Sequence, residues 1–100
     1  MSEGLGISGA KSWLNISAAT VLDGTTASSY VSRRISRVNV LTAGTTLGSI
    51  NDCLSIAGAS ASNLVASIPN VVGPLLLDFP CFLGIVVTPG TGQVVSVSYD

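Results

Sequence analysis

The chain has 100 residues, the size of a single domain, and only 9% are Asp, Glu, Lys or Arg against an ordinary ~25%. Net charge is −1, histidine is absent, and a mean hydropathy of +0.65 rests on aliphatic side chains, since aromatics make up just 5%. These values exclude the lysine and arginine field that displaces counterions from nucleic acid, and they remove the commonest general base and zinc ligand. A surface so weakly hydrated belongs in a membrane or under partner subunits.

Residues 1–12 are rich in Gly and Ser, with isolated Leu5 and Ile7, and read as a flexible arm. The remainder, 13–100, reads as the folded domain. Trp13, Leu14 and Ile16 begin a first strand with Trp13 as its anchor, and Asp23-Gly24 marks a turn. From Arg34 to Leu41 the residues alternate: Ser36, Val38 and Val40 share one face, while Ile35, Arg37, Asn39 and Leu41 share the other. Ile50, Leu54 and Ile56 continue at strand period after a turn at 44–48. Asp52 falls in phase with them, which predicts either a bulge or a carboxylate satisfied by backbone amides.

Residues 57–63 are small and polar, a loop or one helical turn, and 64–68 form a short strand closed by Pro69-Asn70. A strand over 75–79 precedes Pro80, and 83–88 form an almost wholly apolar strand lying centrally or at an interface. Pro89-Gly90 supplies the two central residues of a type II turn, leading into alternating Val95, Val97 and Tyr99. The spacing predicts a hairpin over 85–99. About seven short strands with no helical periodicity predict an all-β fold, a single antiparallel β-sandwich of immunoglobulin-like or jelly-roll-like type.

The most apolar run, 64–87, is interrupted by Pro69, Pro74 and Pro80 and by Asp78, which argues against a membrane span. The first residues show no basic segment followed by an apolar core, so they do not read as a signal peptide. Cys53 and Cys81 match no metal or redox spacing and read as buried free thiols, with one disulfide as the alternative. Gly90-Thr91-Gly92 lacks the lysine and following helix of a phosphate loop, and Asn15-Ile16-Ser17 is a glycosylation sequon only in a secreted protein. Asp52 and Asp78 are the mid-chain acids that could pair, though turn capping is the simpler role. No catalytic residue, metal ligand or cofactor site is expected, and the chain does not read as an enzyme.

Several segments carry a resemblance. The runs Arg34-Ile35-Ser36-Arg37-Val38-Asn39-Val40, Ala43-Gly44-Thr45-Thr46-Leu47-Gly48, Asn63-Leu64-Val65-Ala66-Ser67-Ile68-Pro69, Asp78-Phe79-Pro80-Cys81 and Gly84-Ile85-Val86-Val87 through Ser98-Tyr99 together resemble the small β-sandwich virion proteins of tailed bacteriophages. Capsid decoration proteins and head or tail adaptors are of this type, and the likeness covers residues 33–99. It implies a structural subunit of the virion, assembled in the host cytoplasm. Its expected partners are the major capsid protein or other virion subunits and copies of itself, as a homotrimer. The scarcity of Lys and Arg adds the expectation of no nucleic acid, and the prolines in 64–87 that of no membrane.

A decoration (cement) role is the leading expectation. A head–tail, tail or fibre-anchoring component and a host glycan- or receptor-binding module are the alternatives. Partner contact is expected at Leu5 and Ile7 of the arm, at Trp13, and at a cluster of Arg33, Arg34 and Arg37 facing an acidic surface. Val-rich strands left at sheet edges would be aggregation hazards in a free monomer, which also favours assembly.

Overall fold

A computed structural model describes residues 11–23 and 33–100. They form eight strands: β1 (Lys11–Ile16), β2 (Thr20–Asp23), β3 (Arg33–Thr42), β4 (Gly48–Asn51), β5 (Leu64–Ile68), β6 (Gly73–Cys81), β7 (Ile85–Thr88) and β8 (Val94–Tyr99). Two antiparallel sheets result, sheet A in the order β1-β8-β3-β6 and sheet B in the order β2-β7-β4-β5. Ile35, Val38, Val40, Val95 and Val97 of sheet A pack against Leu22, Ile50, Ile68, Ile85 and Val87 of sheet B. The Tyr99 hydroxyl reaches across the sandwich and donates to the Leu22 carbonyl at 3.4 Å.

The nested pairings β1 with β8, β2 with β7, β3 with β6 and β4 with β5, alternating between sheets, are those of a jelly roll rather than an immunoglobulin sandwich. Only β4 and β5 are consecutive in the chain and paired with each other. The hairpin expected over 85–99 therefore does not form. β7 lies in the middle of sheet B and β8 in the middle of sheet A, so the link between them arches across the sandwich.

The turn in this link also differs from expectation. Gln93 donates its amide to the Gly90 carbonyl at 3.0 Å, which puts Thr91 and Gly92 at the centre. Gly92 has φ +78°, the value a type II turn needs at its third position. Gly90, freed from the turn's centre, packs on the backbone of Thr46. Around it the links 43–47, 69–72 and 89–93 interlock. Thr45 donates to the Thr91 carbonyl at 2.8 Å and Thr91 to the Thr46 hydroxyl at 2.8 Å. Buried Gln93 accepts from the Gly90 amide and donates to the Pro69 carbonyl, both at 3.0 Å.

Bulges account for the errors of phase. Ile35 stands opposite Tyr99 and Arg37 opposite Ser98, so β3 carries one extra residue there. That insertion turns Ile35 inward beside Val38 and leaves Arg37 outside, where strict alternation had put both on one face.

Both edges of sheet A are bulged as well, with Asn15 of β1 at φ +54° and Asp78 of β6 at φ +47°. Asn and Asp tolerate this left-handed conformation better than most side chains. With Pro74 and Pro80 also in β6, these edges are poor templates for another strand. The Val-rich strands β7 and β8 are central, as expected for the double-sided β7, so neither is left as an exposed edge.

The strand expected to run through Ile56 stops at Asn51. Residues 52–63 instead fold over the outer face of sheet B as two 3-10 turns, Ile56–Gly58 and Ala61–Asn63. The Asn51 side chain holds them, donating to the Ser60 carbonyl at 2.9 Å and to the Asn63 side chain at 2.8 Å. Val86, on the face of β7 opposite Val87, is fully buried outside the interior cluster. β7 is therefore buried on both faces, which suits the apolar residues on both of its sides. The first strand begins at Lys11, so the boundary drawn after residue 12 falls inside β1. Leu5, Ile7 and Gly24 lie outside the described residues.

Candidate functional site

The sandwich end formed by residues 52–63 and 82–84 contains the most ordered polar arrangement. Asp52 follows β4 directly, and its carboxylate accepts from the amides of Phe82, Leu83 and Gly84 at 2.9, 2.8 and 3.2 Å. Of the two readings of Asp52, the carboxylate satisfied by backbone amides is the one the structure shows. Asp52 lies beyond the end of β4, and the register shift in β4–β5 places its extra residue, Val65, on β5. Arg33, only 2% exposed, donates to the Phe82 carbonyl at 2.7 Å from the opposite side. Phe82 is thus held by both its amide and its carbonyl, and the residue is 74% exposed. Leu83, expected within the last apolar strand, lies in this link and is exposed too, because three amides bound to Asp52 leave the ladder before Ile85.

The three arginines do not cluster. Arg33 points into the protein. Arg34 sits on the outer side, with its guanidinium 3.3 Å from the Asp78 carboxylate. Arg37 is exposed beyond the bulge, in the row Ser12, Ser98, Arg37, Leu76 across sheet A. Trp13 is no core anchor: on edge strand β1 opposite Val97 it keeps 41% of its surface exposed.

Asp52 and Asp78 do not pair, since each is engaged by its own partners. No group of three metal-ligating side chains occurs among the described residues, and none of their helices is long and apolar enough to cross a membrane. Cys53 and Cys81 are free and buried.

Burial pushes the Cys81 thiol up to about 12, the nearby Asp52 charge adding to the effect and Arg33 opposing it. Cys53 is raised for the same first reason, against the lowering effect of its bond to the Ser55 backbone. A thiol that stays protonated in the folded protein but ionises near 9 when unfolded favours unfolding between those values. Stability is therefore full below pH 9 and should fall by up to about 1.4 kcal/mol per pH unit as pH rises above it. Urea midpoints from pH 8 to 11 should drop more steeply for the native chain than for Cys81→Ala; parallel lines would refute this source of alkaline sensitivity.

Three depressions stand out among the described residues. An open groove of about 410 Å³ lies between residues 56–64 and the outer face of sheet B, lined by Ala19, Ser49, Ala59, Ala61, Leu64 and Thr88 among others, none charged. A shallower one of about 170 Å³ crosses the outer face of sheet A beside Leu14, Arg37, Asn39, Ser96 and Ser98. A third, about 100 Å³, sits by Arg34, Pro80, Phe82 and Asp100.

Leu14, Leu47, Leu54, Ile56, Leu64, Val71, Val72, Leu76, Phe79, Phe82 and Leu83 are all exposed. Sequence periodicity missed these positions because most lie in links or at bulges, where alternation does not govern direction. The sequence matches no protein-family model, no curated protein and no solved structure.

Proposed function

We propose that this chain is a non-catalytic structural subunit of a phage virion, a capsid decoration protein that self-associates and stabilises an assembled shell through protein contact. The observation that carries the reading is the surface: thirteen large hydrophobic side chains are exposed among the described residues of a chain with nine charged ones. With so little charge to keep copies apart, these side chains favour burial against a partner. Viral capsid domains are among the proteins that use the jelly roll, an analogy of fold that supports the reading without carrying it. The resemblance of residues 33–99 to small virion proteins points the same way. A glycan-binding role has less support, because Trp13 lines none of the depressions described above.

Size-exclusion chromatography with light scattering, on the protein alone and then mixed with empty tailed-phage heads, tests the proposal. A soluble oligomer that co-elutes with the heads is expected. A protein that ignores them overturns the decoration role and redirects the search to tail assembly.

A further inference from the structure

We propose that the outer groove of sheet B is a docking site for an extended peptide segment, filled by residues 4–10 of a neighbouring copy. The inference rests on the self-association in the proposed function and not on the virion. Three observations support it.

The first is a set of open hydrogen-bonding groups on the groove floor, where Ser49, Asn51 and Thr88 lie. Asn51 is only 4% exposed, and its Nδ2 is committed to the Ser60 carbonyl and the Asn63 side chain. Those two bonds fix the amide, so Oδ1 cannot turn away. Among the described residues Oδ1 accepts from nothing, and it is not sealed from solvent. The Ser49 and Thr88 hydroxyls, neighbours across β4 and β7, are bonded to no described residue either. An acceptor so nearly buried and still unused calls for a donor from outside.

The second is spacing. Ser49 and Asn51 stand two residues apart on one face of β4, whose pairing with β7 is regular there. Their separation along the strand is therefore about 6.6–6.8 Å. An extended chain presents its own N–H and C=O groups to one side at the same two-residue interval. A segment lying along β4 can thus donate one N–H to Asn51 Oδ1 and set its next group on that side over Ser49. The groove lining includes no aromatic ring on which a sugar would stack, so the floor suits peptide backbone rather than glycan.

The third is the occupant. Residues 1–10 lie outside the described residues and join the fold at Lys11, the first residue of edge strand β1. Residues 4–10 are seven uncharged positions between Glu3 and Lys11. Extended, they span about 23 Å at roughly 3.3 Å each, which leaves both charges beyond the ends of the docked stretch. Leu5 and Ile7, two apart, point to one side of an extended chain and can both pack on Ile56 and Leu64, while Gly4 and Gly6 need little room on the other. Lys11 belongs to the opposite sheet, so the segment would spend much of its length rounding its own sandwich, 18 Å through the shortest axis. A neighbour's groove requires no such detour.

Sedimentation velocity on the full chain over a concentration series tests this, with a Leu5→Asp, Ile7→Asp double variant to spoil the segment and Ala61→Arg to block the groove. Each variant alone should associate about 30-fold more weakly or worse. Mixed together they should form a dimer and nothing larger, since only one intact segment and one intact groove remain. A synthetic peptide of residues 1–10 should shift the NMR signals of the Ser49 and Thr88 backbone and of the Asn51 side-chain amide. Circular dichroism checks folding, and Thr88→Arg serves as a second groove variant.

The inference is overturned if the native chain stays monomeric throughout, if the double variant assembles like the native chain, or if the peptide leaves Ser49, Asn51 and Thr88 unshifted. A monomer that binds phage heads would overturn the segment-to-groove contact alone. An oligomer that needs Leu5, Ile7 and an open groove yet ignores the heads would uphold it while overturning the virion role.

Discussion

Replacing Gly90 with alanine is expected to destabilise the protein by about 3 kcal/mol, the upper part of the range for overpacking a closed site. A methyl group at this position would overlap the Thr46 carbonyl oxygen and crowd its carbon. These are backbone atoms, fixed by the reciprocal bonds between Thr45, Thr46 and Thr91, so no side chain can swing aside. Gly92→Ala provides the contrast. Its added methyl meets only the Gly44 Cα, at an ordinary 3.8 Å, and the cost is that of holding φ +78° with a side chain, about 1 kcal/mol. Urea unfolding followed by circular dichroism should separate the two clearly. Equal, small losses would mean that the interlocked loops yield and that Gly90 is not required by packing.

Asp52→Ala should cost nearly as much, about 2–4 kcal/mol, because the amides of Phe82, Leu83 and Gly84 lose one shared charged acceptor. The Phe82 and Leu83 amides can be rehydrated in part, whereas that of Gly84 is partly buried, which keeps the loss below three full desolvation penalties. Asp52→Asn retains one acceptor oxygen but turns an NH₂ group towards donors, so roughly half the loss is expected. Hydrogen exchange at 82–84 gives a local readout: protection should vanish in Asp52→Ala while the amides of β8 change only with global stability. Unchanged protection at 82–84 would refute the carboxylate's role in holding this link.

Much of the architecture was legible in the residues. The strand-forming stretches, the absence of long helices and the punctuation by Gly and Pro determined an all-β sandwich, because a two-residue period and turn chemistry are local properties of the chain. Asp52 was legible for the same reason: a lone acid in phase with apolar neighbours must find donors nearby.

What local pattern could not carry was the partner of each strand. The alternation in β8 was read correctly, yet Pro89 to Gln93 turn the chain equally well into a hairpin or an arch, and only packing against Thr46 and Pro69 selects the arch. The direction of Ile35 and Arg37 likewise depended on one extra residue in β3, visible only once β8 lies beside it. The exposure of Phe82 followed from Asp52 and Arg33, which lie 30 and 49 residues away in the chain. The sequence by itself determined the all-β class, the punctuation between strands and the scarcity of charge. The tertiary structure decided topology, bulges and the exposure of Phe82, because these depend on contacts between segments far apart, to which a local period is blind.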